Sequence, residues 1–178
     1  MTVGYRLEQS YLPADTSAEL VEISVGTLLA ARSAQHPDRV ALVGTRHGTG
    51  ERVRLTYGQL YREAVRVATA LSQFAGPGES VAVWAPNVLE WPVIQYAAAL
   101  SGLVLVALNP VLRDDELEYA LTHSGAKVLL HADVSRDYPL AEVATRVCDR
   151  IEGLQRISLS EDRWRAAEPD CAELPDVG

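Results

Sequence analysis

The run VIQYAAALSGLVLVALNP at residues 93–110 is the most apolar stretch of the chain, broken by polar atoms only at Gln95, Tyr96, Ser101 and Asn109. It is either a membrane span or two buried pieces of a folded domain. A span needs about 20 mainly apolar residues in one helix. Here Ser101-Gly102 falls in the middle, with Ala-rich, helix-favouring residues before it and Leu and β-branched Val after it. The simpler reading is helix, Gly turn, strand. A strand that is apolar on both faces, as residues 103–108 are, belongs in the middle of a parallel sheet.

The rest of the chain supplies neighbours for such a strand. Ser24 is a candidate N-cap for a short helix over 24–34, which His36-Pro37-Asp38 ends. Residues 40–43 and 52–55 read as two strands joined by the Gly-rich loop GTRHGTGE. Thr56 and Gln59 form a capping box for a helix whose apolar face is Leu60, Ala64, Val67, Ala68 and Leu71. Gly76-Pro77-Gly78 is a turn, and SVAVW at 80–84 is a strand. Asn87 with Glu90 is a second candidate cap, but it would put Pro92 past the first turn, so either the first turn is irregular or the regular helix begins nearer Glu90. Residues 113–124 form the next helix, with Asp114, Asp115 and Glu116 placed to offset the helix dipole. Gly125 ends it, KVLLH at 127–131 is a strand, 140–148 a helix, and 154–159 a further strand. From residue 80 onward strands and helices alternate, so the fold class is α/β: a parallel sheet flanked by helices, preceded by an N-terminal helix and a β-hairpin. The expected division is an N-terminal extension over 1–23, an α/β subdomain over 24–159 and an acidic linker over 160–178.

Composition excludes several functions. The net charge of −8 disfavours nucleic acid bound through a basic face. Cys148 and Cys171 lie far apart with no CxxC spacing, and no secretory leader is read at the N-terminus, so the expected location is a reducing cytoplasm. The loop at 44–50 lacks the lysine and the following helix of a P-loop and reads as a flexible hairpin tip. His36, His47, His123 and His131 are scattered without i+2 or i+4 partners, which points to structural roles, and no GxSxG nucleophile elbow is present. Lys127 is the only lysine. In an open α/β sheet ligands collect beyond the carboxyl ends of the strands. Ala85-Pro86-Asn87, Asn109-Pro110 and His131 map there, although both asparagines are equally good turn or cap residues.

The order of the motifs adds a resemblance. LTYGQL (55–60), VAVWAPNVLEW (81–91), ALSGLVLVALNPVLRDDELEYAL (99–121) and SGAKVLL (124–130) together resemble the first core motifs of adenylate-forming enzymes, with Gln59 in place of the usual Glu. The SYLPAD start and the WAPN and LNP variants look most like fatty acyl-CoA synthetases. The resemblance implies a two-step chemistry with ATP, Mg and coenzyme A: an acyl-adenylate forms, then the acyl group passes to the thiol. That chemistry uses a Ser/Thr/Gly-rich loop ending in PKG, a ribose-binding acid and a lysine on a mobile C-terminal domain, and none of these motifs occurs in the 178 residues. Lys127 matches none of them.

The expectation is therefore the amino-terminal subdomain of an acyl-CoA ligase, inactive alone, ending before the phosphate loop. The alternatives are a non-catalytic binding module that keeps the scaffold, half of a split ligase, and an unrelated α/β protein. No catalytic or metal-binding residue is assigned, cofactor-binding residues are not identifiable, and no cofactor is expected for the chain alone. An apolar helix face around residues 93–100, meant to be covered by protein outside the chain, is expected to drive self-association or capture of the missing part of the ligase.

Overall fold

The first two helices start on local side-chain chemistry. Ser24 Oγ accepts the Thr27 N–H and opens α1 (Val25–Gln35). Thr56 Oγ1 accepts the Gln59 N–H while the Gln59 side chain accepts the Thr56 N–H, so α2 (Tyr57–Leu71) begins with the full capping box. Between them β1 (Val40–Thr45) and β2 (Arg52–Thr56) pair antiparallel. The computed structural model describes residues 14–17, 21–161 and 163–165, so the expectations for Cys171, most of 1–23 and the last residues of 160–178 fall outside the described residues.

The second sheet holds β3 (Ser80–Trp84), β4 (Val104–Leu108), β5 (Val128–His131) and β6 (Gln155–Ser158) in the order β4-β3-β5-β6, all parallel. The helices between them are α3 (Glu90–Leu100), α4 (Asp114–Ser124) and α5 (Leu140–Cys148). The chain steps one way from β3 to β4 and then reverses past β3 to β5. That reversal separates the helices: α3 packs with α1 and α2, and α4 packs with α5. The α2 face predicted from spacing, Leu60, Ala64, Val67, Ala68 and Leu71, is buried, as are Val81 to Trp84 and Val128 to Leu130. Among the described residues no helix is long and apolar enough to cross a membrane.

The structure corrects several expectations. The strand at residues 103–108 is not central: β4 is an edge, and Val104 is 50% exposed. Sheet order is set by pairing between distant segments, and an apolar five-residue run does not encode it. The neighbouring helix is the buried one. Val93, Ile94, Ala97, Ala98 and Leu100 of α3 are all covered, because α1 and α2 close over them. Exposed large apolar side chains lie instead on the β4 edge (Val104), on α1 and β1 (Val25, Leu28, Val40, Val43) and elsewhere, and not on residues 93–100. Asn87 is not the cap of α3; the helix begins at Glu90, which leaves Pro92 in the first turn, where its missing N–H breaks no helical bond. Gly125 ends α4 with φ 62°, as its composition suggests.

The stretch after β6, expected as a linker, turns back onto the body. Trp164 is fully buried with its indole N–H donated to Leu159 O, and the Arg165 guanidinium stacks on the Trp164 ring at 4.0 Å. The packed body therefore reaches at least Arg165.

Candidate functional site

At the carboxyl ends of β3 and β4, a cleft of about 750 Å3 is lined by Ala85, Pro86, Asn87, Asn109, Pro110, Val111, Arg113 and the turn Ser135 to Tyr138. This is the end of the sheet where the strand order reverses, the place where open α/β sheets collect ligands. Two of the three points marked in the sequence, 85–87 and 109–110, meet there.

The two loops that form its floor are fixed by tryptophans. The Trp84 indole N–H donates to Asn109 O at 2.9 Å, and the Trp91 indole N–H donates to Ala85 O at 3.0 Å. Asn109 Oδ1 accepts the Val111 N–H, so Asn109 is the turn residue its type suggests. The far wall is the turn Ser135 to Tyr138, in which those two residues exchange backbone hydrogen bonds at 3.0 Å each. Arg136 sits at its tip with φ 54°, the one non-glycine in the left-handed region among the described residues. Such backbone costs a β-carbon-bearing residue energy and gathers at sites of function. Tyr138 stands edge-on to Trp84, with ring centroids 6.4 Å apart, and carries the Arg113 guanidinium on its face at 4.0 Å. The cleft thus combines an apolar floor of Ala85, Pro86, Pro110 and Val111 with two arginines at its rim and one acid, Asp137, beside them. Chemically it suits an anionic group attached to a less polar body. The arginines were not marked in the sequence; neither sits in a pattern that announces a ligand.

His131, the third marked point, does not reach the cleft. It is fully buried, with Nδ1 against Ala132 O at 2.9 Å and Nε2 facing Arg156 Nη1 at 3.3 Å. Burial, which penalises the charged imidazolium, holds its pKa below the ordinary histidine value. His36 caps the end of α1, and His123 stacks on Tyr119 with centroids 5.4 Å apart. Among the described residues no three His, Cys, Asp or Glu side chains gather as a metal site.

The loop at 44–50 departs from the expected free hairpin tip. The His47 N–H donates to the Glu90 carboxylate at 3.1 Å, and Glu90 is only 2% exposed. The His47 side chain is itself buried, with Nε2 accepting the Asp133 N–H at 3.1 Å. The loop is therefore docked on the carboxyl end of the main sheet. Asp114 pairs with Arg146 across α4 and α5, and that hydrogen bond lowers its carboxyl pKa. With Asp115 and Glu116 it occupies the first turn of α4, where the Glu116 carboxylate accepts the Arg113 N–H. Lys127 lies at the amino end of β5, paired with Glu79 at 3.5 Å, on the opposite side of the sheet from the cleft.

Comparison with known proteins agrees with this architecture. A profile of the AMP-binding enzyme family matches residues 29–176. The mitochondrial medium-chain acyl-CoA ligase ACSF2 of Mus musculus is 32% identical over 155 residues, which are 86% of this chain and 25% of that protein. A solved fatty acyl-CoA synthetase of Mycobacterium tuberculosis superposes with a TM-score of 0.67 at 26% identity, covering 84% of this chain and 30% of that one. The N-terminal domain of FACL13 from Mycobacterium tuberculosis superposes at 0.64 with 26% identity, covering 85% of this chain and 38% of that domain. The chain spans about a quarter of the length of the curated relatives it matches.

Proposed function

The chain belongs to the AMP-binding enzyme family, and on that premise we propose that it is the amino-terminal α/β portion of a fatty acyl-CoA ligase, contributing a binding cleft for coenzyme A rather than the adenylation machinery. The observation that carries the reading is the pair Arg113 and Arg136 at the rim of an apolar-floored cleft on the ligand-binding end of the sheet. Coenzyme A carries phosphates on a long, less polar arm, and a guanidinium fork is the side chain best matched to phosphate oxygens. Arg113, backed by Tyr138, and Arg136, at a rigid turn tip, would hold the phosphates, while Pro86, Pro110 and Val111 line the way for the arm. When bound, coenzyme A would supply the thiol that receives the acyl group.

The first half-reaction, acyl-adenylate formation from ATP and a carboxylate, is assigned to residues that this sequence does not contain. Lys127 is on the wrong end of the sheet to serve it. These 178 residues alone are therefore expected to bind but not to turn over, because the PKG loop and the mobile lysine lie outside them.

Isothermal titration of coenzyme A into the full chain tests this reading. Binding should be present, and Arg113→Ala and Arg136→Ala should each weaken it by about tenfold, the size of one charge-assisted hydrogen bond. Affinity untouched by either substitution would reject the cleft. ATP–pyrophosphate exchange by the isolated chain should be absent, and a clear signal would reject the assignment of adenylation to other residues.

A further inference from the structure

The cleft leaves one half-buried polar cluster unused, centred on Asp133 behind the turn Ser135 to Tyr138. Asp133 follows β5 and begins the segment that carries Arg136 and Tyr138. Its polar atoms are engaged by three separate parts of the fold. Its N–H donates to His47 Nε2 at 3.1 Å, from the β1–β2 hairpin. Its backbone carbonyl accepts the Ala141 N–H at 3.0 Å, at the start of α5. One carboxylate oxygen accepts the Ser158 hydroxyl and the other the Ser160 hydroxyl, both from the end of β6. Burial pushes its carboxyl pKa up, but the Ser158 and Ser160 hydroxyls outweigh that and hold it below the ordinary value.

We infer that His47 and Asp133 form a latch by which the β1–β2 hairpin, outside the main sheet, positions the Arg136 turn of the cleft. Besides the Leu89 N–H donated to Thr45 O at 2.9 Å, the hairpin is tied to the body by two contacts of His47: its N–H is held by buried Glu90, and its imidazole holds the Asp133 N–H. Nε2 also lies 3.6 Å from the Asp133 carboxylate, so the ring meets both the backbone and the side chain of that residue. From Asp133 two residues lead to Ser135, whose paired bonds with Tyr138 set the turn. Arg136 holds a left-handed backbone there only because both ends of the turn are tied. His47 and Asp133 are positioning residues; neither lines the cleft. The structural role expected of His47 rests on partners 43 and 86 residues away, which the loop sequence alone does not reveal.

The functional weight of the latch rests on the coenzyme A reading of the cleft, but its test does not. The test uses the full chain with substitutions His47→Ala, His47→Gln and Asp133→Asn, read by amide hydrogen exchange at Ser135, Tyr138 and Ala141. Exchange there should rise about tenfold in His47→Ala, the size of one net hydrogen bond, and rise less in Asp133→Asn, which keeps the backbone N–H that His47 accepts. Amides of β3 and β5 should keep their protection, which separates a local release from general unfolding. His47→Gln offers a carbonyl oxygen in place of Nε2 and should restore most of the protection. Unchanged exchange in His47→Ala, or His47→Gln behaving like His47→Ala, would overturn the latch. Coenzyme A titration of the same variants should show affinity falling and recovering in step with the exchange. If the wild-type chain binds no coenzyme A, the cleft reading fails while exchange still decides the latch; if it binds but the affinities do not follow the exchange, the latch has no role in positioning Arg136.

Discussion

Replacing Arg136 by glycine separates what this residue costs the fold from what it gives the cleft. Its φ of 54° places a β-carbon-bearing residue in the left-handed region, at the tip of the four-residue turn Ser135 to Tyr138. Such backbone costs about 1–2 kcal/mol for an L-residue. Glycine removes that strain but loses about 0.5–1 kcal/mol through the greater freedom of its unfolded chain. The balance is a net stabilisation of about 1 kcal/mol, or a rise in Tm of about 2–4 °C for a chain of this size. The side chain is exposed and packs nothing in the core, so no cavity offsets the gain. Binding should move the other way. A charge-assisted bond to phosphate contributes about 1.5–3 kcal/mol, and an open cleft puts the loss at the lower end, about tenfold in Kd. Denaturant unfolding and isothermal titration of coenzyme A on the same preparation measure both quantities. A variant that is less stable than wild type would refute the strain argument, and one that binds coenzyme A equally well would refute the role of Arg136.

Three further outcomes follow from separate parts of the molecule. Thr56→Ala removes the hydroxyl that accepts the Gln59 N–H at the start of α2 and should cost about 1 kcal/mol in urea unfolding, with the fold retained. Val104→Lys puts a charge on the open edge of β4, where the native side chain is 50% exposed; light scattering should show concentration-dependent self-association of the wild type and its reduction in the variant. His131 has a folded pKa below the unfolded value, so the unfolded state binds its proton first as pH falls. Its contribution to stability is present above about pH 6.5, the unfolded value, and is lost as the pH drops toward and through the folded one. His131→Gln should therefore flatten the decline in stability between pH 7 and pH 5, and an unchanged slope would place the acid sensitivity elsewhere.

What the sequence made legible was local or carried by motif order. The Ser24 cap, the Thr56–Gln59 box and the Gly125 stop each depend on atoms within a few residues, and all appear in the structure where their chemistry puts them. The alternation of strands and helices from Ser80 onward also survives, because each element is bounded by its own turn residues. What was not legible depends on distant partners. VLVAL at β4 is as apolar as a central strand but lies at the edge, since its neighbours were decided by β5 choosing the other side of β3. The Ala-rich α3 was expected to be bare and is instead covered by helices that precede it in the chain. Trp164 sits in an acidic, Pro-containing stretch, and only its own size hinted that it would find the core. In the cleft, the loops at 85–87 and 109–110 were found by the rule for strand ends. Arg113 and Arg136 were not, because two isolated arginines acquire meaning only when the sheet brings their loops together.

Recognition of the phosphate-bearing end of coenzyme A by this cleft is decided by titrating the full chain with coenzyme A and with pantetheine. Pantetheine keeps the thiol arm and lacks every phosphate, so it offers Arg113 and Arg136 nothing to hold. Coenzyme A should bind, with an affinity that falls as salt is raised, and pantetheine should bind at least tenfold more weakly, about 1.4 kcal/mol. Equal affinity for the two molecules would contradict it.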